Sequence, residues 1–360
     1  MKGALAKVKD GQEGLILETV QGGVTEEEIA DVYTTLERFK SIETLIWNFY
    51  PEGLMIGFLS KLIGNTSINH IRLTNGNMSD GLMDTLAKLV TGSGQIRRLG
   101  LKCNSISDES VPLITSMIVN SSLEQLDLGY NILTTEGMNK ICRALSENHE
   151  NLVDLNLSGC PLSLEAVGCI AGFMKKLQKL WLMDCDIDWL KCKILVQHIP
   201  ASSLTHIVLS RNNLGTRSLQ AFSKMLVEHK DTLTLRELNL NHNKGFNRSS
   251  LIGFGKAVGQ YPRLEKLTLG FIGNLDVELV ESWLASLRCH PSMRNLHIYD
   301  FSRYYAGYRK LVKYVEGLQS PKSKILVSMM CAREYERIGY RSGFSKLPVE
   351  LIKSLHEFIE

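Results

Sequence analysis

The side chains of this chain that could do chemistry are dispersed rather than gathered. It carries nine histidines and eight cysteines. It has no Gly-x-Ser-x-Gly elbow and no His-Glu-x-x-His pair, so no nucleophile, base and orienting group can be nominated together. Gly253-Phe-Gly255-Lys256-Ala257 glances at a phosphate loop, but no Ser or Thr follows the lysine and no glycine stands five residues before Gly255. Its small residues suit close helix packing instead. The expectation is a chain that is not an enzyme and uses no cofactor and no metal. What remains is the chemistry of recognition. Trp181, Met183, Val208 and Arg211 combine a large aromatic, a flexible thioether and a guanidinium, the composition usual in protein interface hot spots.

A repeated phrase must position these residues: Leu-x-x-Leu-x-Leu-x-x-Asn or Cys. It reads Leu123-Glu-Gln-Leu126-Asp-Leu128-Gly-Tyr-Asn131, then Leu152-Val-Asp-Leu155-Asn-Leu157-Ser-Gly-Cys160. Further copies begin at Leu177, Leu204 and Leu235, and weaker ones at Ile42, Ile68, Ile96, Leu264 and Met293. Successive starts lie 26, 28, 27, 29, 25, 27, 31, 29 and 29 residues apart. A fixed period of this size means stacked supersecondary units. Each phrase supplies a short strand whose residues alternate in and out. Phrase positions 1, 4 and 6 point into the stack, and the Asn or Cys at position 9 turns the chain and bonds neighbouring backbone in a ladder.

The rest of each unit has helical periodicity behind polar N-cap candidates. These are Ser79-Asp80, Thr134-Thr135, Ser249 before Leu251 to Val258, and Asp276 before Val277 to Leu287. Helices crowd one side while strands pack closely on the other, so the stack is expected to curve. In phrase and period the chain resembles the ribonuclease-inhibitor-like class of leucine-rich repeat proteins. That class includes ribonuclease inhibitor, the repeat domains of NOD-like receptors and the Ran GTPase-activating protein. The resemblance covers roughly residues 12 to 331. It implies an α/β solenoid, a horseshoe with a parallel β-sheet on the concave face, α-helices on the convex face and about twelve strands.

Both ends read as caps, which a solenoid needs to shield its terminal repeats. Residues 1–41 form an N-terminal capping repeat containing Gly14-Leu-Ile-Leu17, residues 42–321 the leucine-rich repeats, and residues 322–360 a C-terminal capping repeat and helix. The chain is expected to be one continuous domain. Forty-one basic against 38 acidic residues leave a net charge of +3, too balanced for a dedicated nucleic-acid binder. No apolar stretch approaches a membrane span and no signal peptide is visible. Cys160 and Cys185 fill the ladder slot, while Cys142, Cys169 and Cys289 fall within helices. Reduced thiols in a cytoplasmic protein follow from that placement. His149, His198, His229 and His290 fall in or just after the last helical turn, where a donor suits the negative end of the dipole. His70 and His206 sit five units apart, more than about 20 Å at 4.8 Å per strand, too far to share a metal. His206 and His242 are on adjacent units, where a weak site is conceivable.

Function in such a scaffold belongs to phrase positions 3, 5, 7 and 8, which point out of the stack. They place His70, Arg72, Arg98 and Lys102 in a basic patch, followed by Gln125, Asp127, Tyr130, Asp154, Asn156 and Ser158. Lys179, Trp181, Met183, Asp184, His206, Val208 and Arg211 come next, then a stretch that includes His242, Lys266, Phe271, His297 and Tyr299. The candidate partner-binding set is Arg72, Arg98, Lys102, Tyr130, Trp181, Met183, His206, Val208, Arg211, Phe271 and Tyr299. Trp181 is the sharpest member, because an aromatic of that size is costly to leave in water. The leading expectation is a protein-interaction scaffold that grips a protein partner on the concave face.

The tail offers an alternative. Leu347, Pro348, Glu350, Leu351, Leu355 and Phe358 resemble the opening helix of an F-box, which docks on the adaptor of a cullin-type ubiquitin ligase. The same residues also read as a capping helix begun by Pro348, a good first-turn residue. GTPase activation is implied by the Ran GTPase-activating protein, but that family carries an acidic C-terminal segment. Here stand Lys322, Lys324, Arg333, Arg337, Arg341 and Lys346.

Overall fold

The computed structural model describes residues 5–8, 14–18, 43–48, 52–63, 67–148, 150–243, 245–270, 277–287 and 290–299. The chain falls into two compact units. One comprises residues 1–213 with 232–234, and the other residues 214–231 with 235–360.

The first unit alternates strand and helix: β1 (Leu5–Val8), β2 (Gly14–Glu18), β3 (Thr44–Asn48), α1 (Glu52–Leu62), β4 (His70–Thr74), α2 (Asp80–Ser93), β5 (Arg98–Gly100), α3 (Val111–Val119), β6 (Gln125–Asp127), α4 (Thr135–Glu147), β7 (Asp154–Asn156), α5 (Leu164–Phe173), β8 (Lys179–Trp181), α6 (Trp189–His198) and β9 (His206–Val208). Strands β2 to β9 are parallel and pair in chain order. The register carries the phrase frame unbroken, with Gln125 beside Asp154, Asp154 beside Lys179 and Lys179 beside His206. Each helix packs on the next. In the second unit, α7 (Thr216–Glu228), β10 (Glu237–Asn239), α8 (Arg248–Gln260), β11 (Lys266–Gly270), α9 (Val277–Leu287) and β12 (Asn295–Tyr299) follow the same order. Its three strands are parallel and its helices pack α7 on α8 on α9. Each unit has the strand and helix order of the α/β repeat solenoid expected from the period.

The core is made by the residues that the phrase places inward. Leu126, Leu155, Leu180 and Ile207 at position 4 are at most 2% exposed, and Leu128, Leu157, Leu182 and Leu209 at position 6 are fully buried. The ladder forms as read. The Asn131 amide donates to the carbonyls of Leu101 and Leu128, and its Oδ1 accepts from the Asn104 and Ile106 backbone. Asn212 repeats the pattern, donating to Leu182 and accepting from Cys185 and Ile187. Cys160 and Cys185 occupy the slot with thiols aimed at the Leu128 and Leu157 carbonyls. Burial pushes both thiols up to about 12, so they stay protonated and act as ladder donors.

Three local expectations need correction. Twelve strands are present among the described residues, but one is β1, an antiparallel partner of β2 with Leu5 opposite Glu18. No phrase marks it, because a short edge strand needs no repeat. The strand expected near residues 325–330 lies outside the described residues. Ser79 and Thr134 cap α2 and α4 as read, but α8 is capped by Asn247, whose side chain accepts from the Ser250 amide. That bond begins the helix before Ser249. The expected cap Asp276 lies outside the described residues. Within Gly253-Phe-Gly255, only Gly255 is needed for close packing, since a Cβ there would sit 2.8 Å from the Trp283 ring. Gly253 faces open space.

Candidate functional site

Above β7, β8 and β9 the outward side chains form one connected patch. Trp181 lies between Asn156 and Val208 in register, about 4.8 Å from each strand neighbour. It is 36% exposed, while Met183 and Val208 are half-buried and Arg211 exposed. The indole is not loose. Its Nε1–H donates to Asp154 Oδ1 at 3.2 Å, and Gln125 Nε2 donates to Asp154 Oδ2 at 3.0 Å. Lys179 Nζ stands 4.0 Å from the same carboxylate. Burial pushes the Asp154 carboxyl above its ordinary range, and Lys179 and the indole hydrogen bond only partly offset this. His206 borders the group, with its Nδ1 2.7 Å from the Thr205 hydroxyl.

A second element of the patch comes from the turns that follow the strands. Phrase position 8 is left-handed in unit after unit: Asn75, Cys103, Tyr130, Asp184, Arg211 and His242 have φ between 55° and 59°, and Gly159 has φ 73°. The conformation reverses the chain so that the ladder residue at position 9 can point inward. It also swings the position 8 side chain away from the core. At position 7 the small polar residues are tucked under, whereas Lys102 and Met183 stay half-exposed. Ser158 and Ser210 are 3% exposed, so Ser158 does not face outward as its position suggests. Its hydroxyl instead accepts from the Met183 amide at 3.2 Å.

Tyr130 uses this geometry. Gly159 is the floor beneath its ring, since a Cβ there would fall 2.6 Å from Tyr130 Cδ1. Lys102 Nζ sits over the ring, 5.1 Å from the centroid, a contact worth about 0.5 to 1 kcal/mol when exposed. Burial and the Asp184 carboxylate raise the phenol, against a smaller opposing effect of Arg211. Lys102, Tyr130 and Arg211 therefore belong to one neighbourhood. Further toward β4, His70 pairs in register with Arg98 and Arg72 with Gly100. The His70 imidazole is pushed below its ordinary 6.5 by burial first, then by Arg98 and Arg72.

Of the candidate residues, Phe271 lies outside the described residues, as do Leu347, Pro348, Glu350, Leu351, Leu355 and Phe358. Tyr299 ends β12. The candidate set omits Asp154 and Gly159. The Asp154 contact was readable from register, because the residue two places before the neighbour of Trp181 is a carboxylate. Gly159 had no such signal. Among the described residues, no group of three or more His, Cys, Asp or Glu could hold a metal ion, and no helix is long and apolar enough to cross a membrane.

With this geometry in place, similarity to known proteins becomes interpretable. A family model described as leucine-rich repeat matches residues 119–142 and 201–223, each a phrase with the start of its helix. Over 246 residues the chain is 23% identical to the human NACHT, LRR and PYD domains-containing protein 13, covering 58% of this chain and 24% of the relative. It is 29% identical over 193 residues to human protein 14 of the same series, covering 51% and 17%. To bovine protein 5 it is 26% identical over 210 residues, covering 56% and 19%. The chain thus spans about a quarter or less of the length of these relatives. In fold it is similar to a chain of the yeast Rad7 and Elc1 complex, with a TM-score of 0.52, 17% identity and coverage of 78% of this chain and 69% of that one.

Proposed function

From the premise that this chain is a leucine-rich repeat protein, we propose that it is a non-enzymatic, intracellular scaffold that grips a protein partner on its strand face. Trp181, Met183, Val208 and Arg211 form the centre of the site. The observation that carries this reading is Trp181 itself. It is held by a hydrogen bond to Asp154 yet left 36% exposed beside Val208. An aromatic fixed in a single pose loses little side-chain freedom when a partner covers it, which is the property of a pre-organised hot spot. His206 and Tyr130 extend the site on either side, with Arg72, Arg98 and Lys102 at one end. Phe271 and Tyr299 are proposed from the phrase frame alone, as outward positions of their own repeats.

Affinity purification with the full chain and with Trp181→Ala, compared by quantitative mass spectrometry, tests the reading. The partner should be depleted in the variant at equal bait recovery. A protein set unchanged between the two baits would move the site elsewhere.

A second reading makes the chain a substrate receptor of a cullin-type ubiquitin ligase. It is supported by the F-box-like spacing of Leu347, Pro348, Glu350, Leu351, Leu355 and Phe358. The similarity in fold to a chain solved as part of a Rad7 and Elc1 complex agrees with a repeat protein of this kind engaging a second protein. Recovery of a cullin adaptor that is lost in Leu351→Ala/Phe358→Ala would establish it. GTPase activation has only the class resemblance behind it, and an activation assay on Ran-type GTPases decides it.

A further inference from the structure

We infer that the end of the strand face formed by β4 and β5 is a carboxylate-binding subsite that takes a short Glu- or Asp-rich segment of a protein partner. The inference deepens the reading of the strand face as a protein-binding surface and rests on it.

Arg72 and Arg98 are both exposed and stand on neighbouring strands, Arg98 next to His70 and Arg72 next to Gly100. Gly100 has no side chain, and the stem of Arg72 leans across it: a Cβ at Gly100 would be 3.0 Å from Arg72 Cγ. Lys102 follows two residues along the same chain and is held over the Tyr130 ring. Three cations from two adjacent strands thus share one small area, with the half-buried His70 beside Arg98.

None of the three forms an ion pair with a described residue. The outward carboxylates of the next two strands have other partners. Asp127, next to Gly100 in register, accepts from the Gly129 amide at 3.0 Å. Asp154 is occupied by Gln125, Trp181 and Lys179. Neither Arg72 nor Arg98 makes a side-chain hydrogen bond or ion pair with a described residue. Guanidinium groups in this state are matched to carboxylates, which they can bind with two parallel hydrogen bonds. His70, lowered first by its burial, is lowered further by Arg98 and Arg72, which places both guanidinium groups close to it.

The width of the patch selects the occupant. A phosphate backbone running along the strand face would meet Asp127 and Asp154 on the next two strands and be repelled. A run of two or three carboxylates ends before that. A chain net charge of only +3 gives no broad basic field to recruit nucleic acid.

The test uses the full chain and three fluorescent probes in anisotropy: a Glu-rich decapeptide, its Gln counterpart, and a single-stranded oligothymidylate of equal charge. The Glu peptide should bind, the Gln peptide should not, and binding should weaken as salt shortens the screening length. In Arg72→Glu/Arg98→Glu, affinity for the Glu peptide should fall by at least about tenfold, as expected when complementary charge is replaced by like charge. Arg72→Lys/Arg98→Lys should retain most of it. Both positions are exposed, and an unchanged melting temperature shows that the variants are folded. Glu-peptide binding that survives the reversal, or an oligothymidylate that binds more tightly and is lost in the same variant, would overturn the inference. Trp181→Ala separates the two ideas. It should abolish partner capture while leaving peptide binding intact, so a failed partner site and a failed carboxylate subsite give different results.

Discussion

At the scale of single residues, Trp181 and its neighbour Leu182 face opposite ways and should behave oppositely. Leu182 is fully buried, so Leu182→Ala leaves a cavity that costs about 2 to 5 kcal/mol of stability. Trp181→Ala removes an exposed ring and one hydrogen bond to Asp154, a loss of about 1 kcal/mol, while partner affinity should fall by about 2 kcal/mol or more. Chemical denaturation of both variants, set beside a binding titration, checks the contrast. Equal destabilisation with intact binding would make Trp181 a core residue. Asp154 carries the second residue-scale expectation. Its carboxyl is raised above 3.8, chiefly by burial, so the folded state holds the proton more tightly than the unfolded one. Stability therefore falls as pH rises from 3.8 through the folded value, and the ionised carboxylate is a burden at neutral pH. Asp154→Asn keeps an acceptor for the indole and should be at least as stable as the parent at pH 7. Its advantage should vanish on acidification. A variant that is clearly less stable at pH 7 means that Lys179 and Gln125 stabilise the charge more than burial opposes it.

At the scale of elements, the strand-end turns decide how the face is dressed. A left-handed residue that is not glycine costs about 1 kcal/mol, and Tyr130, Asp184 and Arg211 all bear it. Arg211→Gly should therefore hold or raise the melting temperature while weakening partner binding. A fall in both would show that Arg211 supports the turn instead of presenting a guanidinium. Helix packing in the second unit depends on a different device. A Cβ at Gly259 would lie inside contact distance of the Ser286 carbonyl on the neighbouring helix α9. Backbone cannot yield as a side-chain tip can. Gly259→Ala should cost about 1 to 3 kcal/mol as overpacking, whereas Gly253→Ala, which meets open space, should be neutral or stabilising. Guanidinium denaturation of the pair reads this directly. The helices themselves were legible from capping and periodicity. Which of their glycines bears a neighbour was not, because that depends on an interhelical distance and not on helical phase.

At the scale of the whole molecule, two depressed imidazoles, the buried His290 and the half-buried His70, should make stability sensitive to acid. His290 is 4% exposed. Its Nε2 lies 2.7 Å from the Tyr261 carbonyl, to which it donates, and its Nδ1 accepts from the Met293 amide at 3.0 Å. Burial lowers it, and His70 is lowered by burial and by Arg98 and Arg72. A depressed imidazole leaves the folded state with fewer bound protons than the unfolded one. The stability it contributes is complete above 6.5 and is lost as pH falls through the folded values. Melting temperature should therefore drop as pH falls below about 6.5, the value of the unfolded imidazole. His70→Gln should flatten part of that slope. A flat profile for the parent would show that neither group is coupled to folding.

The sequence by itself determined the repeat, the strand and helix order, the inward leucines and the asparagine and cysteine ladder. Each is a local pattern repeated at a fixed period, and a stack can satisfy that pattern in only one register. It also placed Trp181 and Val208 on the outward face, because alternation along a strand is a property of the chain alone, whereas Arg211 owes its outward place to the left-handed turn. The tertiary structure alone decided that Gly159 lies under Tyr130 with Lys102 above it, and that Arg72 and Arg98 stand without a carboxylate partner among the described residues. Those facts depend on which side chains neighbouring strands bring within a few ångströms of one another. A period names the neighbours, but only packed coordinates show whether their charges and rings meet.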